Sequence, residues 1–377
     1  MKILHIGKFF APIEGGIESI NKFVVDSLKG NEQIVISFND KNENEIDEID
    51  GTKVYRMAVN KTIARQPISF TYYTELKKLF KEFNPDIVHF HHPNPLVSMY
   101  LLELIPDHTK LILHWHSDVV AQKALHRFIK PFENSLLRRA DVIISTSPNY
   151  KENSLALKNY QNKINIIPCS IDESKFDLSE EEKNKVEELK LKYDNKPIIL
   201  FLGRHVEYKG IEFLLQAEEH IKNDCVILIA GQGPLTSQLK SHYNSDRIKW
   251  LGKIPDDEMK LFYHAASVLA FPSITKNEAF GVVLAEAMYC STPAVTFTIP
   301  GSGVNWVCPN QECGLEVENQ NYIEYAKAID SLLSHQDLRE KLSVNAHQRA
   351  SNLFSKDVVS KQYIKLYEGL NDLKTTK

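Results

Sequence analysis

Short apolar stretches alternate with longer amphipathic segments along the chain. The apolar stretches are continuous, which is the pattern of strands buried on both faces of a parallel sheet. The first stretch covers residues 2–7, and an amphipathic segment over 17–29 with helical spacing follows it. The acidic and polar stretch over 39–50 predicts an exposed loop instead. The alternation of strands with helices predicts an α/β protein.

The same alternation begins again about half-way along the chain. Residues 196–203 repeat the apolar pattern of the opening strand, and further strand–helix pairs lead to a helical tail over 321–373. A chain of 377 residues is also long for one ordinary domain. We therefore expect two Rossmann-like, doubly wound parallel-sheet domains that face a central cleft. Their predicted bounds are 1–171 for the acceptor side and 172–355 for the nucleotide-sugar side, with a C-terminal helix over 356–377 that crosses back to the first domain.

Composition narrows the class of protein. Apolar residues make up 43% and charged residues 25% of the chain, as in soluble globular proteins, and the net charge of −4 gives no basic field to attract nucleic acid. Five cysteines form no C-x-x-C pair, which fits a reducing compartment. The N-terminal apolar run is too short for a secretory signal, and no uncharged apolar segment reaches the ~20 residues of a membrane span. These features predict a cytoplasmic protein.

The stretch over 273–288 carries the strongest chemical signal. Glu278 and Glu286 lie eight positions apart, after an apolar run over 266–273 that predicts a buried strand. Good helix formers follow Gly281, so we expect Glu278 in the loop and Glu286 on the helix, about one and a half turns beyond the glycine. A glycine allows a ligand close to the backbone, and the amides at a helix N-terminus attract anions. A ligand with a phosphate and hydroxyls, such as a nucleotide sugar, suits this arrangement.

Two further patterns follow predicted strands in the first half. The pair Gly15-Gly16 between strand and helix has the geometry of a phosphate cradle, although the G-x-G-x-x-G sequence of redox dinucleotide sites is missing.

Four histidines end two other predicted strands, at positions 89, 91, 114 and 116. The alternation of side chains places 89 with 91, and 114 with 116, on one face of each strand. A zinc site is one interpretation, but zinc sites usually include cysteine or a carboxylate. We expect no metal, with one or two of these histidines lining a polar cleft and the others satisfied by hydrogen bonds.

The segment from Glu278 to Glu286 resembles the E-x7-E motif of the family 4 retaining glycosyltransferases, which have the GT-B fold. Gly203-Arg204 followed by Lys209-Gly210 is similar to the family's G-R-x4-K-G segment. Trp115-His-Ser-Asp118 looks closest to mannosyl- and rhamnosyltransferases of O-antigen and exopolysaccharide assembly. His205 departs from the family pattern, which has an apolar residue there.

The resemblance implies a role for each matched residue. Arg204 and Lys209 would bind the donor diphosphate, Glu286 the ribose and Glu278 the donor sugar. His116 would lie near the sugar and the reaction centre. The implied catalytic residues are His116, Glu278, Arg204 and Lys209. The implied donor-binding residues are Gly15, Gly16, Arg204, Lys209, Lys253, Ile254, Phe280, Gly281, Val282 and Glu286.

The function implied by the resemblance is retaining transfer of a hexose, mannose before others, from a nucleoside diphosphate sugar. A GDP-sugar is favoured over a UDP-sugar, and the acceptor is a saccharide, lipid-linked in cell-surface polysaccharide assembly. No cofactor or metal is expected. Two alternatives are a non-catalytic nucleotide-sugar-binding subunit of an assembly complex and a sugar-nucleotide epimerase.

Basic residues concentrate in the first half of the chain, in the segment over 121–139 and at lysines 77, 78 and 81. An anionic membrane surface is therefore a further candidate partner, on the cytoplasmic face of the inner membrane.

Overall fold

The computed structural model describes residues 1–13, 15–63, 66–118 and 123–375, without the side chains of residues 123–128 and 372–375. The chain forms two compact units. The first comprises Met1–Pro168 together with the chain from Val359 onward, and the second comprises Cys169–Val358. Each unit has its own large sheet, which positions the candidate residues described below.

The first unit is built on an eight-stranded sheet. Its strands and those of a separate small pair are β1 (Lys2–Ile6), β2 (Glu32–Phe38), β3 (Glu45–Ile49), β4 (Thr52–Met57), β5 (Lys61–Ile63), β6 (Gln66–Ile68), β7 (Ile87–His92), β8 (Lys110–Trp115), β9 (Val142–Ser145) and β10 (Ile164–Ile166). The order in the large sheet is β10-β9-β8-β7-β1-β2-β4-β3, and only β3 runs antiparallel to its neighbour. The strands β5 and β6 pair separately. The large sheet is therefore doubly wound, with its switch of direction between β1 and β7.

Helices follow most of these strands. They are α1 (Gly16–Ser27), α2 (Tyr72–Glu82), α3 (Pro95–Leu104), α4 (Lys123–Arg139) and α5 (Pro148–Asn153). Of the predicted basic helix over 121–139, residues 121 and 122 lie outside the described residues.

The second unit has a six-stranded parallel sheet. Its strands are β11 (Ile198–Leu202), β12 (Val226–Ala230), β13 (Ile248–Gly252), β14 (Val268–Phe271), β15 (Ala294–Phe297) and β16 (Gly314–Val317). Its helices are α6 (Glu180–Leu191), α7 (Ile211–Glu218), α8 (Thr236–His242), α9 (Met259–Ala265), α10 (Val282–Tyr289), α11 (Val304–Val307), α12 (Tyr322–Ser334) and α13 (Gln336–Phe354). The strand order β13-β12-β11-β14-β15-β16 puts the switch of direction between β11 and β14.

The last helix, α14 (Lys356–Thr375), packs on the core of the first unit. Its buried positions recur every three or four residues, as the packed face of a helix requires. They are Val359, Tyr363, Tyr367 and Leu370, in one apolar cluster with Ile3, Ile87 and Ile112. Burial of this stripe holds the end of the chain against β1, β7 and β8.

The prediction of an exposed loop over 39–50 is wrong for its second half, where β3 pairs with β4. The strand lies at the edge of the sheet, and Ile46 is 63% exposed. An edge strand with charged side chains is held by backbone hydrogen bonds and lacks the apolar face by which a strand is identified.

Candidate active site

Two loops of the second unit meet at the switch point of its sheet. Residues 203–210 follow β11, and residues 272–281 follow the neighbouring strand β14. A Cβ atom at Gly210 would lie 2.1 Å from the carbonyl oxygen of Pro272, and the φ of Gly210 is 62°. Only glycine combines that conformation with so close an approach. The carboxyl edge at a switch point is where open α/β sheets bind ligands.

The two loops are joined by an ion pair between Lys209 and Glu278. Lys209 Nζ donates to Glu278 Oε2, and the side chains are only 13% and 12% exposed. Ser273 Oγ donates to the same carboxylate oxygen over 3.2 Å. Burial alone would lower the pKa of Lys209, but Glu278 and Tyr208 outweigh it and raise this pKa. Lys209 is therefore a charged ammonium held at the strand ends by a carboxylate.

Glu286 lies on α10, and Glu278 lies in the loop before it, so the predicted placement of both glutamates is confirmed. The helix begins after Gly281, whose φ is 87° and whose added Cβ would come within 3.0 Å of the Phe271 ring. Tyr263 Oη donates to Glu286 Oε2 over 2.8 Å. Burial raises the pKa of Glu286, and the Tyr263 bond opposes part of that rise. Glu286 therefore presents a half-buried carboxyl whose orientation Tyr263 fixes.

Arg204 is an exposed cation beside these groups. It follows β11 directly after Gly203, and within the described ranges its guanidinium has no hydrogen bond or ion pair. Lys253 is likewise exposed after β13, whereas Ile254 is buried. The guanidinium of Arg204 is therefore available for an anion at the edge of the sheet.

The side chain of Phe280 belongs to an aromatic cluster. The ring packs edge-on to Phe354, with centroids 5.2 Å apart, and lies 6.4 Å from the Trp306 ring. This cluster supports the loop that precedes α10. Val282 is the first residue of the helix and is half-buried.

His205, the departure from the family pattern, is buried among polar and aromatic partners. Its Nδ1 is hydrogen-bonded to Thr236 Oγ1 over 2.9 Å, and its ring lies edge-on to Trp250 with centroids 5.7 Å apart. Burial lowers the pKa of His205. A neutral imidazole with a hydroxyl partner replaces an apolar side chain here without leaving a buried charge.

Gly15 and Gly16 lie at the start of α1 in the first unit. Gly15 is the N-cap residue, and an added Cβ there would lie 2.1 Å from Glu18 Oε2. Gly16 has open space where its Cβ would be. Burial raises the pKa of Glu18, partly offset by its own backbone amide and Lys8. The N-terminus of α1 therefore has open space beside Gly16 among the described residues, and the Glu18 carboxylate lies against Gly15.

His116 lies just beyond β8 in the same unit and is 6% exposed. A hydrogen bond of 2.9 Å joins its Nε2 to Nδ1 of His91, and burial lowers its pKa to about 3. The ring is therefore neutral. The expectation that the remaining histidines are satisfied is wrong in part, because within the described part of the chain Nε2 of His91 and Nε2 of His114 have no hydrogen-bond partner. The sequence alone could not show which ring nitrogens find partners.

Residues that support the glutamates were missed by the sequence argument. Tyr263 orients Glu286, and Ser302 Oγ donates to the backbone oxygen of Glu278. The backbone of Gly303 donates to Ala279 over 3.0 Å. The glycine-rich segment around Ser302 was a usable signal, but the Tyr263 contact depends on how α9 packs beside α10.

Two family models match the chain. Residues 182–349 match "Glycosyl transferases group 1", and residues 25–175 match "Glycosyltransferase Family 4". The chain is therefore a glycosyltransferase. This enzyme is similar to an O-antigen chain mannosyltransferase C of Escherichia coli, with 26% identity over 100% of both chains. It is 25% identical to the D-rhamnosyltransferase WbpZ of Pseudomonas aeruginosa, over 94% of this chain and 92% of that one.

Solved structures share the fold of this glycosyltransferase. Anabaena HepE in complex with UDP-glucose superposes with a TM-score of 0.78 at 16% identity, over 98% of this chain and 100% of that one. The enzyme therefore has the GT-B fold, as predicted. Among the residues that the structure describes, none of the helices is both long and apolar enough to span a membrane.

Proposed function

We propose that this glycosyltransferase transfers a hexose, mannose before others, from a GDP-sugar to a saccharide acceptor with retention of configuration. The observation that carries the proposal is the convergence of Arg204, the Lys209–Glu278 pair and Glu286 at the switch point of the second unit. Cations for a diphosphate and carboxylates for hydroxyls lie together there. The known relatives named for mannosyl and rhamnosyl transfer support the choice of sugar.

The donor roles follow from the chemistry of each group. The Arg204 guanidinium suits a forked contact to phosphate oxygens, and the Lys209 ammonium supplies a point charge. The three hydrogens of that ammonium allow it to bind phosphate while it keeps Glu278 as a partner. Glu278 would then accept from a sugar hydroxyl beside the diphosphate, and Glu286 from the ribose hydroxyls. The backbone at Lys253 and Ile254 would meet the base.

Catalysis in this proposal is electrostatic and positional. Negative charge grows on the diphosphate as the bond to the sugar breaks, and fixed positive groups at Arg204 and Lys209 stabilise it. The amides at the start of α10 would add partial positive charge. Holding donor and acceptor in a reactive geometry supplies much of the remaining rate enhancement. The neutral ring of His116 would serve as a hydrogen-bonding group.

We further propose that the acceptor is lipid-linked and that the first unit rests on an anionic membrane on the cytoplasmic side. The support is the exposed basic surface of α2, formed by lysines 77, 78 and 81. Part of the predicted basic surface of α4 has another role, because Arg139 donates to the carbonyl oxygens of Pro106 and Thr109 and pairs with Asp141.

The test is transfer by the purified chain. GDP-mannose, UDP-glucose and dTDP-rhamnose are supplied with saccharide acceptors, and the anomeric configuration of the product is read by NMR. We expect GDP-mannose to be used, with retention, and kcat/KM to fall ~100-fold in Arg204→Ala through loss of charge-assisted phosphate contacts. Inversion, preference for a UDP-sugar or full activity of Arg204→Ala would contradict the proposal, and isomerisation of a donor without acceptor would indicate an epimerase.

A further inference from the structure

Two neighbouring strands of the first unit each end in a His-x-His sequence. The parallel register of β7 and β8 pairs His91 directly with His114. Because side chains alternate along a strand, His89 and His91 share one face of β7, and His114 lies beside them on β8. One ring nitrogen from each of the three lies within 4.8 Å of the others. All three side chains are buried, with exposures of 0% to 1%.

Some ring nitrogens of these three histidines make no hydrogen bond to a described residue. Among the described residues, Nε2 of His91 and Nε2 of His114 are buried without any hydrogen-bond partner. A buried polar atom without a partner is unfavourable, and a bound ion or water is one way to satisfy it. A neutral imidazole ring has one nitrogen with a lone pair, so each of the three rings can offer one ligand atom.

We infer that His89, His91 and His114 form a binding site for a divalent transition-metal ion, with Zn²⁺ as the first candidate. His89 Nε2 and His114 Nδ1 share a hydrogen bond of 3.2 Å, which an ion bound between the two rings would replace. Two nitrogens bound at ~2.0 Å to a tetrahedral ion are about 3.3 Å apart, so an ion between these two rings needs little change in their separation. The unpartnered His91 Nε2 supplies a third ligand. Three imidazoles with one open position form the protein ligand set of many zinc sites.

The groups around His89 and His91 fit this assignment. Metal-binding histidines usually make a hydrogen bond through their other ring nitrogen, which fixes the orientation of the ring. His89 Nδ1 has such a bond to Tyr367 Oη over 2.6 Å, and His91 Nδ1 has one to His116 Nε2 over 2.9 Å.

The ligand set also selects the class of ion. Mg²⁺ and Ca²⁺ prefer oxygen ligands, whereas imidazole suits zinc, cobalt, nickel and copper. The expectation from sequence that no metal is bound rested on the lack of cysteine or carboxylate partners. The closeness of the three rings and the unpartnered Nε2 of His91, which only the structure shows, outweigh it.

The test uses the full-length protein stripped of metal by a chelator and dialysed. Titration with Co²⁺ should give visible d–d absorption that saturates at one ion per chain, without the thiolate-to-metal band that cysteine ligands produce. Zn²⁺ should displace the cobalt, and elemental analysis after dialysis should find one zinc per chain. Mg²⁺ should have no effect.

Variants locate the ion. His91→Gln and His114→Gln should each retain less than a tenth of the wild-type zinc, with circular dichroism to check folding. The matched control is His108→Gln, an exposed histidine of the same unit. It should keep one zinc per chain.

Wild-type protein that binds no Co²⁺ would overturn the inference whether or not the variants fold. A thiolate band, or full zinc content in a folded His91→Gln protein, would also overturn it. The measurement is independent of transfer activity, so its failure would leave the proposed function untouched.

Discussion

Neutralising Glu278 should tighten the binding of a bare nucleoside diphosphate, because this carboxylate holds the Lys209 ammonium in the structure. Glu278→Gln keeps the size of the side chain and an acceptor for Ser273, but removes the negative charge. The pair is 13% and 12% exposed, so its strength should lie between that of a surface pair and that of a buried one. In the wild type, Glu278 competes with the phosphates for the Lys209 ammonium. Removing about 1 kcal/mol of this competition should lower Kd for GDP ~5-fold.

Replacing Lys209, the other member of the ion pair, should weaken the binding of GDP. Lys209→Met removes a charge-assisted contact to phosphate, for which ~1.5–3 kcal/mol is typical. Kd for GDP should therefore rise ~10- to 100-fold. Both variants should lower the rate of transfer, since Glu278 is assigned to the donor sugar and Lys209 to the leaving group.

Isothermal titration calorimetry with GDP measures both effects, and turnover with GDP-mannose completes the set. Glu207→Gln is the matched control, because Glu207 is an exposed carboxylate two positions before Lys209 in the same short turn. It should bind GDP as the wild type does. If Glu278→Gln weakens GDP binding as much as Lys209→Met, the carboxylate contacts the nucleotide itself and the reasoning is refuted.

Four further predictions test other parts of the account. Tyr263→Phe removes only the donor to Glu286 and should weaken GDP binding ~10-fold by calorimetry. Tyr289→Phe, a control at the end of the α10 helix that carries Glu286, should not; equal losses would show that the Glu286 contact is not responsible. Glu286→Gln should raise Tm at pH 7, because burial raises the pKa of Glu286 and so penalises its ionised form. This gain should vanish below the unfolded pKa of ~4.3, and a gain that persists at acid pH would point to another cause. Transfer should not depend on added Mg²⁺ or Mn²⁺, since Arg204 and Lys209 offset the diphosphate charge; a strict requirement in an assay of dialysed enzyme would contradict this. Replacing the α2 lysines 77, 78 and 81 by glutamine should weaken co-sedimentation with anionic vesicles, at ~1 kcal/mol per charge, and binding insensitive to salt or lipid charge would exclude the membrane surface.

Much of the second unit could be predicted because its strands are continuous apolar runs and glycines stand at the ends of its candidate loops. Gly281 marks the start of α10, so the placement of Glu278 and Glu286 followed from local sequence alone. The strand β3 could not be predicted in this way, because an edge strand with charged side chains has no apolar face.

Contacts between distant segments were beyond the sequence argument. Lys209 and Glu278 meet because β11 and β14 are neighbours in the sheet, although two other strands lie between them in the chain. The two residues were correctly placed at strand ends, but their ion pair depends on strand order and on the close approach at Gly210. The same holds for the histidines of β7 and β8. The alternation of side chains along a strand predicted which of them share a face, but it could not predict which ring nitrogens find hydrogen-bond partners.

The central claim is that a nucleoside diphosphate sugar binds at the switch point between β11 and β14. Hydrogen–deuterium exchange with and without GDP-mannose tests this location most directly, because bound ligand slows exchange of the amides that it covers or orders. We expect slower exchange in peptides that cover residues 203–210 and 278–286, and no change in helix α2 of the first unit. Protection that spares both loops while GDP-mannose is bound would contradict it.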